Sequence, residues 1–113
     1  MRSWAKGLLC LEAAVELLIG HGTWLSRRDF LNTAVEMGTE SGRVMACVDF
    51  AVAADALEAG ALPGSGGEKS MLRVAAGIAA GCPVDLRDAL TGLDAANAAL
   101  VADAVLRAAG ALR

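Results

Sequence analysis

The chain has 113 residues, with 10 basic and 13 acidic side chains and a formal net charge of −3. This length suits one domain of ordinary size. The acidic balance argues against nucleic acid as a partner, because phosphate binding needs clustered Lys and Arg.

Most of the apolar content comes from two helix-forming residue types. Apolar residues make up 56% of the chain, and 25 of them are alanine and 16 are leucine. Both residues favour helices, whereas β-branched and aromatic residues are sparse. The composition therefore predicts one all-α domain over residues 1–113, a compact bundle of four long helices and two shorter ones.

Uncharged segments are too short to predict a transmembrane helix. Such a helix needs about 20 consecutive apolar residues, but the longest runs without a charged side chain are 74–84 and 17–26. Lys6, Glu12 and Glu16 lie where a secretory signal would be uncharged. We therefore expect a cytoplasmic protein with no membrane partner.

The first helix is predicted from Ser3 to Ile19. It ends at the sequence Gly20-His21-Gly22, because glycine readily takes the left-handed conformation that terminates helices. An apolar stripe with helical spacing is expected to face the core. The stripe comprises Trp4, Leu8, Leu11, Val15 and Leu18.

A shorter second helix is predicted to stop at Gly38. Ser26 and Asp29 have the spacing of a capping box at its start. In this interpretation Arg27 and Arg28 face solvent.

A third helix is predicted over residues 42–59. Its few charged positions leave it apolar most of the way round, which is typical of a central helix. We find no alternation of apolar and polar residues long enough to predict a strand. Residues 60–67, rich in Gly, Pro and Ser, are predicted to form a flexible connector.

The C-terminal half contains the clearest helix boundaries. Ser65 and Glu68 form a second capping-box pattern, which predicts a helix over 66–80. A short helix over 84–90 follows, and Asp94 caps a last helix that ends at Gly110.

Residues 65–68 (SGGE) and 83–94 (PVDLRDALTGLD) resemble the C-terminal part of small helical proteins of actinobacteria. Those proteins have no established activity. The resemblance therefore implies a small cytoplasmic helical protein and identifies no site residue.

The same SGGE sequence is similar to the signature of ATP-binding cassette proteins. However, the chain has no GxxxxGK[ST] phosphate loop. Ala89 follows Asp88, at the position where that family has a catalytic glutamate. We therefore interpret Ser65 and Glu68 as a helix cap and predict no nucleotide site.

The last three predicted helices resemble a helix-turn-helix unit, with Gly92 in the turn. In such a unit the last helix reads DNA with polar and basic residues near its start. Here that stretch is Ala95-Ala96-Asn97-Ala98-Ala99, and no basic residue precedes Arg107. Asn97 is thus the one residue placed to contact a base.

The residues that could bind a metal are far apart in the sequence. His21 is the only histidine, and Cys10, Cys47 and Cys82 form no close pair of the kind found in zinc sites. We expect the cysteines to be small buried side chains. No catalytic residue, cofactor site or metal site is predicted.

The excess of apolar residues over what one small core needs indicates contact with a second chain. We predict a non-enzymatic interaction module that forms a homodimer or binds a protein partner. The alternative is a helix-turn-helix-like regulatory protein, linked to DNA directly or through a partner. Candidate interaction or pocket residues are Trp4, His21, Trp24, Arg27, Arg28 and Asn97, with Met1, Met37, Met45 and Met71 as adaptable apolar contacts.

Overall fold

The computed structural model describes the backbone of residues 2–40 and 42–111 and the side chains of residues 8–39, 42–44 and 46–111. Within these ranges the protein is mostly helical, with one small β-sheet. Three of the helices are long, rather than the predicted four. The elements in chain order are α1 (Arg2–His21), a 3₁₀ helix (Trp24–Ser26), α2 (Arg28–Ala34), β1 (Val35–Glu40), β2 (Arg43–Val48), α3 (Phe50–Glu58), α4 (Gly66–Ala80), α5 (Leu86–Thr91) and α6 (Ala95–Ala108).

The main correction to the all-α prediction is an antiparallel hairpin formed by β1 and β2. Val35 lies opposite Val48, and Glu40 lies opposite Arg43. The predicted second helix is therefore wrong beyond residue 34, and the predicted third helix is wrong over residues 42–48. Two residues join the strands, and one of them, Gly42, has a φ of 79°, which hairpin turns require and other residues rarely adopt.

Helix α4 is the central element, a position that the sequence assigned to the third helix. It contacts α1, α3, α5 and α6. Its buried side chains join a hydrophobic cluster to which every helix contributes. On α4 these side chains are Met71, Leu72, Val74, Ala75 and Ala76.

The predicted ends of α4 and the predicted start of α6 are confirmed, whereas α5 begins at Leu86, two residues later than predicted, because Asp85 caps it. The Glu68 amide donates to Ser65 Oγ at 3.1 Å, and the Ser65 amide donates to Glu68 Oε1 at 2.7 Å, which completes the capping box of α4. Gly81 ends this helix with a φ of 69°. Asp94 caps α6 by accepting from the Asn97 amide at 2.8 Å.

The capping box predicted for α2 does not form. Ser26 belongs to the preceding 3₁₀ helix, and its hydroxyl donates to the carbonyl groups of Gly22 and Thr23. Helix α2 begins two residues later, at Arg28. Arg27 takes the N-cap position, with a φ of −97° and a ψ of 128°, and its side chain makes no cap hydrogen bond, so Ser26 lies one residue too early to cap α2.

The buried face of α1 also differs from the predicted stripe. Leu8 and Leu11 are exposed, whereas Leu18 is buried as predicted. Small residues on the inner side let α6 approach closely, since a Cβ atom on Gly20 would lie only 2.8 Å from Leu100 Cδ2. The buried residues of α1 are Ala13, Ala14, Leu17 and Leu18.

The cysteines are free and less buried than expected. Cys10 and Cys82 are half-buried, whereas Cys47 is exposed. The exposure of Cys47 follows from its place on strand β2, which projects from the helical body instead of packing inside it.

Candidate interaction surface

Three of the six predicted site residues come together where α1 leads into α2. His21 is the last residue of α1, Trp24 begins the 3₁₀ helix, and Arg27 precedes α2. Arg28 is exposed and Asn97 is half-buried in the first turn of α6. Trp4 falls within α1, and its side chain lies outside the described residues.

The indole of Trp24 is fully buried and satisfied within the protein. Its Nε1–H donates to the Glu68 carbonyl at 2.8 Å. The Arg27 guanidinium carbon lies 4.5 Å from the centre of the ring, and the Phe30 ring lies 5.7 Å away. This tryptophan therefore anchors the start of α4 to the segment before α2 and is not available to a ligand.

Arg27 does not face solvent freely, in contrast to the prediction. Its Nε donates to Asp29 Oδ1 at 2.9 Å, and the guanidinium also donates to the second Asp29 oxygen and to the Pro63 carbonyl. The hydrogen bond between these side chains lowers the pKa of Asp29 and raises the pKa of Arg27. The predicted connector 60–67 is thereby fastened to α2, and Leu62 within it is fully buried.

His21 shows one unusual feature. Its Nδ1 atom is buried and has no hydrogen-bond partner among the described residues. Among all the residues that the structure describes, no three His, Cys, Asp or Glu side chains lie close enough together to form a metal-binding group. Trp24 and Arg27, by contrast, connect this segment to the start of α4 and to Pro63.

The hairpin presents a different kind of surface. Residues opposite each other in the register share a side of the sheet, and successive residues alternate between sides. One side thus carries no charged residue, and we call it the hairpin face. It comprises Val35, Met37, Thr39, Val44, Ala46 and Val48.

Only the base of the hairpin face is covered. Val35 and Val48 pack against the core. Towards the turn, Met37 is 68% exposed and Val44 is 71% exposed, the two highest values among the large exposed apolar side chains of the described residues. Of the predicted methionine contacts, Met37 is exposed and Met71 is fully buried, while the side chains of Met1 and Met45 lie outside the described residues.

An apolar cleft separates the hairpin face from helix α1. Its volume is about 330 Å³. Leu11, Val15 and Ile19 of α1 form one wall, and Ala46 and Val48 belong to the other. Leu11 and Val15, two residues of the stripe predicted to face the core, therefore line this cleft.

A larger depression of about 590 Å³ lies between α1 and the end of α6. It is lined by Glu12, Glu16 and Arg107 besides apolar residues. Charged side chains at such a position are well solvated, and none of them is among the hydrogen-bonded or ion-paired side chains of the described residues. The apolar cleft and hairpin face are the stronger candidate for binding another protein.

Sequence reasoning missed the hairpin, although two signals were present. In Val35-Glu36-Met37-Gly38-Thr39-Glu40 the residues alternate in character with the period of a strand. The dipeptide Ser41-Gly42 separates this run from a second one of similar length, a spacing typical of hairpins. A strong expectation of helices from the composition outweighed both signals.

No helix in the described ranges is both long enough and apolar enough to cross a membrane. Comparison of the chain with protein-family models, with curated proteins and with solved structures found no match.

Proposed function

We propose that this protein is a non-enzymatic interaction module that self-associates through the hairpin face and the adjoining apolar cleft. The observation that carries the proposal is the exposure of Met37 and Val44, which lie together on the uncharged side of a projecting hairpin. Apolar side chains exposed to this extent and next to one another are typical of surfaces that contact a second protein.

The weakness of an isolated hairpin supports the same proposal. Two strands alone are marginally stable in water and need packing on at least one face. In this protein the core covers the base of the hairpin face at Val35 and Val48, while the outer half is open. A second chain that covered the outer half would stabilise the strands and remove apolar surface from water.

The α1 wall of the cleft has a length that matches the hairpin. Leu11 to Ile19 on α1, the part of the helix that lines the cleft, extends over about 12 Å at the helical rise of 1.5 Å per residue. Val44 to Val48 on β2 extends over about 13 Å. The α1 wall of one copy can therefore cover the hairpin face of a second copy. A twofold dimer needs this kind of self-complementarity.

Val44→Glu tests the proposal. Light scattering coupled to size-exclusion chromatography at micromolar concentrations should give twice the 11.5 kDa mass of the chain for the wild type. A buried, unpaired carboxylate should weaken association of the variant about 100-fold or more, so that it elutes as a monomer.

Val105→Glu is the matched control. Val105 is an exposed valine on α6, 52% accessible and away from the hairpin, so the same substitution there should leave the dimer intact. A wild-type protein that stays monomeric at these concentrations, or a Val44→Glu variant that dimerises as well as the wild type, would contradict the proposal.

The alternative function is regulatory, through the helix-turn-helix-like series α4, α5 and α6. The short α5 and the turn at Gly92 favour it. Against it, α6 packs along α1, and its first turns lack a basic residue. Fluorescence anisotropy with mixed duplex DNA at low salt separates the two functions, because even non-specific binding is strong under those conditions.

A further inference from the structure

We infer that the partner is a second copy of this chain whose β2 strand pairs edge to edge with β2 of the first, forming one four-stranded antiparallel sheet. This inference rests on the proposed self-association and specifies its geometry. The order of strands would be β1, β2, then β2 and β1 of the second copy.

The hydrogen-bond pattern of the hairpin shows which backbone groups are free for such pairing. The Asp49 amide donates to the Ala34 carbonyl at 2.7 Å, so residues 34 and 49 form a hydrogen-bonded pair. Hydrogen-bonded and non-hydrogen-bonded pairs alternate along an antiparallel ladder. The N–H and C=O groups of Val44, Ala46 and Val48 consequently point away from β1, towards the open edge of β2.

Strand β2 lacks the features with which proteins protect an exposed edge. It contains no proline or lysine, and its register with β1 runs without a bulge from Arg43 to Val48. After Arg43 the strand is entirely apolar, with two valines and a cysteine among its residues. A short, uncharged segment of this composition readily pairs with another strand.

Charge favours β2 over β1 as the pairing edge. Pairing through β1 would bring Glu36 and Glu40 of both chains onto neighbouring strands, where like charges repel. Pairing through β2 involves one charged residue in each chain, Arg43. In an antiparallel arrangement the two copies of Arg43 lie at opposite ends of the new ladder, far from each other.

Twofold symmetry also determines how the two hairpin faces are arranged in such a dimer. In a twofold antiparallel pair a residue lies opposite its own counterpart, and the register centred on Ala46 places Val44 opposite Val48 of the second copy. The axis is then perpendicular to the sheet, so both hairpin faces lie on the same side. Ala46 and Val48 of each hairpin face also line the apolar cleft beside α1.

The resulting dimer would contain one four-stranded antiparallel sheet, in which neither β2 edge is left open. Pairing would place the exposed Val44 of each copy beside Val48 of the other and remove apolar surface from water.

Hydrogen exchange of the wild-type protein, resolved by residue with NMR, tests the inference. At concentrations about ten times the dissociation constant, about a fifth of the chains remain monomeric, and the amides of Val44 and Ala46 should exchange about fivefold more slowly than in dilute solution. The amides of Met37 and Thr39, which point outward from β1 in the same way, are the internal controls and should show no such slowing.

A pair of proline variants provides a second measurement. Proline is tolerated at an edge position whose N–H faces solvent, but it removes that donor. Ala46→Pro should weaken dimerisation about 30-fold or more, because symmetry repeats the loss in both chains. Ala95→Pro, the same substitution at the exposed first position of α6, where proline is well tolerated, should leave dimerisation within about threefold of the wild type. Far-UV circular dichroism checks that both variants fold.

The outcomes separate this inference from the proposed function. Slowed exchange confined to the outward amides of β2 supports β2 pairing. A dimer in which those amides exchange freely, or in which Met37 and Thr39 are protected instead, overturns the β2 geometry while self-association stands. A protein that is monomeric at every concentration overturns both.

Discussion

At the scale of single residues, the side chains that looked most distinctive in the sequence hold the fold together. Trp24 and Arg27 were candidates for a binding site because aromatic and cationic residues are common in such sites. In the folded chain the indole N–H is used by the Glu68 carbonyl, and the guanidinium is used by Asp29 and Pro63. A residue type suggests a role, but the neighbours that occupy its hydrogen bonds decide whether that role is open.

Arg27→Ala should destabilise the protein by about 1 kcal/mol, because it removes a cation–π contact and a partly exposed ion pair. The side chain of Arg27 is 23% exposed and that of Asp29 is 43% exposed, so solvent screens this pair considerably. Chemical denaturation monitored by circular dichroism measures the free energy of unfolding.

Arg28→Ala is the control for that prediction, since the neighbouring arginine is exposed and should change stability by no more than about 0.5 kcal/mol. Equal effects of the two substitutions would show that Arg27 contributes charge alone and not a specific contact.

At the scale of elements, local capping signals identified the C-terminal helices and failed for α2. The boxes of Ser65 with Glu68 and of Ser26 with Asp29 look alike in sequence, but only the first forms. Ser26 ends the 3₁₀ helix, which moves the N-cap position of α2 to Arg27, one residue further along the chain. A capping pattern therefore predicts a helix start where no other turn precedes it.

The capping box of α4 should make stability depend on pH. The amide of Ser65 donates to the Glu68 carboxylate, which lowers the pKa of Glu68 below its ordinary value of 4.5. Because the pKa is lower in the folded state, this stabilisation is complete above about pH 5. It is lost as the pH falls through the lowered pKa.

Glu68→Gln isolates this contribution. Glutamine keeps an oxygen that can accept from the Ser65 amide but has no charge to titrate. Between about pH 5 and pH 2 the thermal midpoint of the wild type should fall more than that of the variant. Glu12→Gln, a change at an exposed glutamate of α1, should leave the wild-type pH dependence unaltered.

At the scale of the whole molecule, the helices form one core around α4 while the hairpin projects from it. The hydrophobic cluster includes residues of every helix. Two residues at the base of the hairpin, Val35 and Val48, pack against this cluster. The two most exposed of the large apolar side chains in the described ranges, Met37 and Val44, lie on the hairpin. Others lie on α1, and α5 and α6 also expose apolar side chains, among them Leu86 and Val105.

Self-association should couple to stability at this scale. If dimerisation covers the outer hairpin, a tenfold rise in protein concentration should raise the thermal midpoint of the wild type by a few °C. The midpoint of Val44→Glu should be independent of concentration. A wild-type midpoint that stays constant from low micromolar to millimolar protein would show that folding and association are separate.

The sequence by itself determined the helical class and the positions of α4, α5 and α6. Alanine-rich segments bounded by Ser65, Asp94 and Gly81 have the same preferred conformation in any surroundings, since caps and left-handed glycines act over a few residues. Tertiary structure alone decided residues 35–48. Their short apolar runs fit either a helix or a strand, and burial of Val35 and Val48 against the core selects the hairpin. The same packing turned Leu8 and Leu11 outward, because α6 and α4 occupy the other sides of α1 and leave this stripe to the cleft.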